Sequence, residues 1–135
     1  MRYDEFIGQV QHRGRMATRQ AAEAATRATL ETLGERLTAG AADDLAAQLP
    51  PELGAHLRRR REGLETRDLD TWLRTVARRE EAERPEAAYH ARVVLDVLRD
   101  AVSPGQVDKA MAQLPPDLRS LWSAGSEGEW DGPRA

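Results

Sequence analysis

The stretch "QLPPEL" at residues 48–53 returns as "QLPPDL" at residues 113–118, 65 positions later in a chain of 135 residues. The residue before a proline is pushed out of the α region, so a helix has to end near Leu49 and again near Leu114. The second proline, Pro51 or Pro116, suits the first turn of a new helix, where its missing N–H costs nothing. Glu52 or Asp117 then supplies an acid where the helix dipole favours one. Six residues therefore spell a helix stop, a corner and a helix start, twice.

The identity spreads outward from the corner. Aligning Glu23–Leu53 with Ala88–Leu118 without a gap gives 11 identities in 31 positions, among them Arg27/Arg92, Leu30/Leu95, Leu33/Leu98, Gly40/Gly105 and Asp43/Asp108. Upstream the match resumes with a one-residue shift, "YDEFIGQV" (3–10) against "LDTWLRTV" (69–76). We read this as a duplication, with the extra residue taken up in a loop.

Each copy reads as four helices. The first carries Tyr3, Phe6, Ile7 and Val10, or Leu69, Trp72, Leu73 and Val76, at the i, i+3, i+4, i+7 spacing of an amphipathic helix. Asp4 and Asp70 sit where a carboxylate caps or meets the dipole. The second helix is longer, with Ala22, Thr26, Thr29, Leu30, Leu33 and Leu37 on one side in copy one. Its twin, "AYHARVVLDVLRDAV", is apolar nearly all round, so it is expected to be the hub of the core, with the first long helix either edge-on to solvent or hidden in a dimer. "SPGQ" at 103–106 reads as a capping box of Ser103 and Gln106, and Thr38 as the simpler cap in copy one. No period-2 run bounded by hairpin turns suggests a strand.

The expectation is an all-α fold of about eight helices, two tandem four-helix repeats sharing one core. It forms a single helical domain over 1–123, with repeat one at 3–57, an arginine-rich joint at 58–68 and repeat two at 69–122. The Gly-, Ser- and acid-rich segment 124–135 reads as a disordered tail.

Composition narrows function more than it assigns one. With 40% hydrophobic and 32% charged residues the chain suits a soluble globular protein. The absence of any apolar run near 20 residues, and the acids in "MRYDEFIGQV", point to the cytoplasm. Zero cysteines exclude disulfides, thiol catalysis and cysteine-based zinc sites. A net charge of −3 gives no global attraction to nucleic acid or anionic membranes.

No catalytic, cofactor-binding or metal constellation stands out. His12, His56 and His90 show no metal-ligand spacing. His90 follows Glu86 by four residues, a surface pair on one helix. Glu80, Glu81 and Glu83 lack the alternating ligands and glycine turn of a calcium loop and read as a solvated face. Arg27 with Asp43, and Arg92 with Asp108, are candidate structural ion pairs across the second and third helices. Candidate interaction residues are Arg58, Arg59, Arg60 and Arg61, whose forks suit phosphates, and Trp130 in "EGEWDG", which suits a linear docking motif.

The assembled pattern resembles a bacterial family catalogued as domain of unknown function 2267. The residues that carry the resemblance are "YDEFIGQV", "ATLETLGERL" with "DLAAQLPPEL", then "WLRTVARRE", "ARVVLDVLRDAVSPGQV" and "AQLPPDLRSLW", spanning about residues 1–122. The resemblance implies a compact all-helical protein and carries no catalytic residue, substrate or cofactor with it. One departure is the charged segment "ARREEAERPEAAYH" where the family usually has a glycine-containing loop.

The expected function is a non-enzymatic cytoplasmic interaction or regulatory module with a protein partner. The alternatives are a ligand- or metal-binding protein with a pocket between the repeats near His90, Arg92 and Arg27, and nucleic-acid association through Arg58–Arg61. An exposed apolar patch would favour the first, a polar cavity the second, and a continuous basic face the third.

Overall fold

A computed structural model describes residues 1–59 and 68–125, and every regular element in them is an α-helix. In chain order these are α1 (Tyr3–Arg13), α2 (Arg19–Gly34), α3 (Ala39–Ala46), α4 (Pro51–Arg58), α5 (Leu69–Glu80), α6 (Arg84–Ala101), α7 (Pro104–Met111) and α8 (Pro116–Ala124). Helices α1–α4 have 11, 16, 8 and 8 residues, and α5–α8 have 12, 18, 8 and 9. The proline corners fall where expected. Pro51 and Pro116 each open a helix, and Pro50 and Pro115 stand as N-caps in extended conformation.

The amphipathic stripes close over one core. Phe6, Ile7 and Val10 of α1 are buried with Trp72, Leu73 and Val76 of α5 and with the apolar faces of α2 and α6. Helices α2 and α6 pack on each other; α1 lies on both, and so does α5. The long helices do not divide their roles as expected. Ten of the 16 residues of α2 are buried, against eight of the 18 in α6. Helix α2 packs against α1, α4, α5 and α6, so it is at least as central as its more apolar twin. Small side chains make this possible. Ala22, Ala25, Ala28, Thr26, Thr29 and Thr32 let neighbours approach closely, and Thr32 returns its hydroxyl proton to the Ala28 carbonyl at 2.6 Å.

Of the capping expectations, Asp70 holds in its dipole form and the capping box at α7 is corrected. Helix α5 is capped by Asp68, which accepts from the Thr71 N–H at 2.7 Å; Asp70 sits in the first turn and pairs with Arg74 and Arg84. At α7 only half of the capping box forms. Ser103 Oγ accepts from the Gln106 N–H, but the Ser103 N–H goes to Gln48 Oε1 at 2.7 Å rather than to the Gln106 side chain.

That exchange is reciprocal. Gln48 Nε2 also donates to Ser103 Oγ at 3.2 Å. At the other end, the Thr38 N–H donates to Gln113 Oε1 at 3.0 Å, and Gln113 Nε2 donates to Thr38 Oγ1 at 3.2 Å. Gln48 and Gln113 open the two "QLPP" corners, and Thr38 and Ser103 are the matching caps, so each half completes the helix start of the other. Gln48→Ala and Gln113→Ala should each lower stability by about 1 kcal/mol in urea denaturation, the range of a lost helix cap. No change in either variant would mean that water serves the caps equally well.

Symmetry fails at the fourth helices. Helix α4 packs tightly on α2 and α3, whereas α8 packs on α6 and barely touches α7. A Cβ on Gly34 would lie 2.2 Å from the Leu57 carbonyl oxygen, so glycine is what admits α4 to α2. The equivalent of Gly34 is Arg99, and its guanidinium donates to the carbonyl of Trp122, the equivalent of Leu57. One half meets through a missing side chain, the other through a long one. Gly54, 3.1 Å from Ala46 by the same construction, brings α4 onto α3; Arg119 takes its place in α8.

Candidate functional site

A cleft of about 340 Å³ opens between the two halves. One wall is Arg15, Met16 and Ala17 from the α1–α2 turn with Ala21 and Ala24 of α2. The other is Glu80, Glu81 and Ala82 from the α5–α6 turn with Glu86 and His90 of α6. Equivalent segments thus face each other, yet one wall is mostly small and apolar and the other acidic.

The turns that form the walls share an uncommon backbone. Arg15 at φ 52° and Glu81 at φ 61° are the two non-glycine residues with positive φ among the described residues. They are equivalent under the 66-residue offset of the first helices. A left-handed residue ends each helix abruptly and turns the chain back across the cleft. Such conformations recur around binding sites.

The turn at Glu81 brings the end of α5 onto α6. Glu80, expected on a solvated face, has a side chain only 5% exposed. Its Oε2 lies 2.5 Å from His90 Nδ1, and its Oε1 is buried with no hydrogen-bond partner. His90 therefore pairs with Glu80 rather than with Glu86 on its own helix. The hydrogen bond to Glu80 raises the imidazole pKa above its ordinary value, helped by the charges of Glu80 and Glu86 and opposed by burial. A folded-state pKa above the unfolded value of about 6.5 gives stability that is complete below that pH and lost as pH rises through the folded value. The parent's stability advantage over His90→Gln should accordingly be larger at pH 5.5 than at pH 8.5 in matched urea titrations. An advantage that grows with pH would mean that the pair is not ionic.

The other histidines lie elsewhere. His12 is exposed on α1, and His56 on α4 has its pKa lowered by burial, against the pull of Glu31. Among the described residues no group of three His, Asp or Glu side chains is placed to hold a metal ion.

The expected ion pairs are not the contacts the fold makes. Arg27 is exposed and its Nη2 donates to the Arg79 carbonyl at 3.3 Å, while Asp43 accepts from Arg58 Nε at 3.0 Å. Arg92 is buried and its Nε donates to the Gly125 carbonyl at 2.9 Å, while Asp108 is exposed on α7. Neither Arg27 nor Arg92 is among the residues that line the cleft. Of the arginine cluster, Arg58 is engaged by Asp43 and Arg59 by Glu31, whose side chain is 3% exposed. Arg60, Arg61, Trp130 and the tail from 126 lie outside the described residues.

The strongest buried ion pair is one the sequence did not suggest. Arg79 Nη1 and Nη2 each reach a Glu35 carboxylate oxygen at 2.9 Å, with side chains 7% and 3% exposed, and Nη1 also donates to Thr32 Oγ1 at 3.0 Å. This bidentate fork ties the end of α5 to the end of α2, next to the bond from Trp72 Nε1 to the Thr32 carbonyl.

A family described as an uncharacterized conserved protein has a pattern that matches residues 3–121. The chain belongs to the DUF2267 family. The match runs from the start of α1 into α8 and so includes both cleft walls and both proline corners of this DUF2267 protein. No curated protein matches the chain. No helix among the described residues is long and apolar enough to cross a membrane.

Proposed function

We propose that this DUF2267 protein is a non-enzymatic binding module of the bacterial cytoplasm that holds a small ligand in the cleft between its halves. The carrying observation is Glu80. It lines the cleft, it is 5% exposed, one oxygen is fixed by His90 and the other has no partner. A buried carboxylate oxygen without a donor is costly, and a turn of the Glu80 side chain toward the cleft would let an occupant supply the donor. The surface gives less support to docking through an apolar patch, since Met1 is the one large exposed hydrophobic among the described residues.

A library of polar metabolites screened by ligand-observed NMR tests the reading. Ala21 is exposed on the cleft wall, so Ala21→Trp should fill the cleft and leave the fold intact. Ligands that bind the parent and lose binding to Ala21→Trp are expected. A library with no member that distinguishes the two proteins would remove the cleft as a binding site.

A further inference from the structure

Resting on that reading, we infer that the cleft takes an aliphatic ammonium group, with the Glu80 carboxylate as its acceptor and the alanine wall as the seat of its hydrocarbon stem. Glu80, Glu81 and Glu86 outnumber Arg15 and His90, so the lining stays net negative even when His90 is protonated. A cation is therefore preferred over an anion or a neutral polar group. Metal ions are a poor match, because no three ligand side chains converge among the described residues. An ammonium needs no such convergence. It brings three N–H donors on one atom, and a single carboxylate turned toward the cleft can take one of them while water takes the others.

The opposite wall selects what carries the ammonium. Met16, Ala17, Ala21 and Ala24 present methyl groups and a thioether, with no hydrogen-bonding side chain. Alkyl stems bury along such a surface while the charged head stays on the polar side. A short, straight amine chain suits a cleft of about 340 Å³, near the lower end of ligand sites. Arg15, exposed on the first wall, would repel a cation seated beside it, which favours seating at Glu80.

An aliphatic ammonium can come from a free polyamine or from a lysine side chain of another protein, and calorimetric titration at fixed ionic strength separates them. The probes are putrescine, spermidine, an acetylated peptide with one lysine, and magnesium chloride. Binding of an amine probe to the parent, weakened about tenfold or more in Glu80→Gln and abolished in Ala21→Trp, is the expected result. Glutamine keeps the shape and an acceptor for His90, and circular dichroism checks that both variants fold. Tighter binding of the polyamines assigns a metabolite, and tighter binding of the peptide assigns a protein partner. Equal binding of amines to parent and Ala21→Trp would reduce the effect to surface charge and overturn the inference. So would magnesium binding as well as the amines. If neutral or anionic library members occupy the cleft and amines do not, the ammonium inference fails and the cleft reading stands; if nothing occupies it, both fail.

Discussion

An Arg79→Met protein should unfold about 3–5 kcal/mol more easily than the parent, the cost of leaving a buried ion-pair partner uncompensated. The reason is Glu35, 3% exposed at its side chain, which would lose both guanidinium donors at once. Removing both charges behaves differently. Arg79→Met combined with Glu35→Leu replaces two desolvated ions by apolar groups of similar size, and such replacements are often neutral or stabilising. The double variant should therefore recover most of the loss, as read from urea midpoints followed by the fluorescence of buried Trp72 and Trp122. A double variant as unstable as the single one would show that the fork stabilises beyond compensating its own burial.

The second large effect is a change of sign at two glycines. Glycine to alanine in a helix interior normally gains about 1 kcal/mol, because alanine loses less backbone freedom. Gly8, exposed in α1 with nothing within 4 Å of an added Cβ, should follow that rule. Gly34 should not. Its added methyl would meet the Leu57 carbonyl oxygen at 2.2 Å, backbone that cannot swing aside, so α4 would have to move off α2. Overpacking of this kind costs about 1–3 kcal/mol and outweighs the propensity gain. Gly34→Ala should thus destabilise where Gly8→Ala stabilises, and Gly34→Leu should lose more. Parallel gains at both positions would mean that α4 rides loosely on α2.

These two sites also mark where sequence reading stops. Helices, stripes and proline corners were legible because they depend on neighbours within four residues. The "QLPP" pair told its own backbone story in six letters. Its glutamines did not, because their partners Ser103 and Thr38 lie 55 and 75 residues away. Gly34 reads in sequence as a helix defect; only the passing of α4 makes it a requirement. The importance of α2 was understated because threonine and alanine look like a weak apolar face, whereas in packing their size matters more than their hydropathy. In sequence His90 pairs most simply with Glu86, because the two share a helix. The left-handed turn at Glu81, which no glycine or asparagine announces, brings Glu80 to it instead. Arg79 and Glu35 were two charges among many until α5 lay on α2. At the cleft, the acids and His90 were visible as residues, and their convergence with the alanine wall was not.

The crossed caps have a consequence for how the protein is made. Thr38 waits for Gln113, which a ribosome adds 75 residues later. Until then α3 starts without its full set of partners, and α2 has neither α5 nor α6 to cover it. The emerging first half is a set of unfinished helices, and final assembly waits for the second half. A gene fusion or a split that delays the second half leaves the first exposed to proteases for that whole interval.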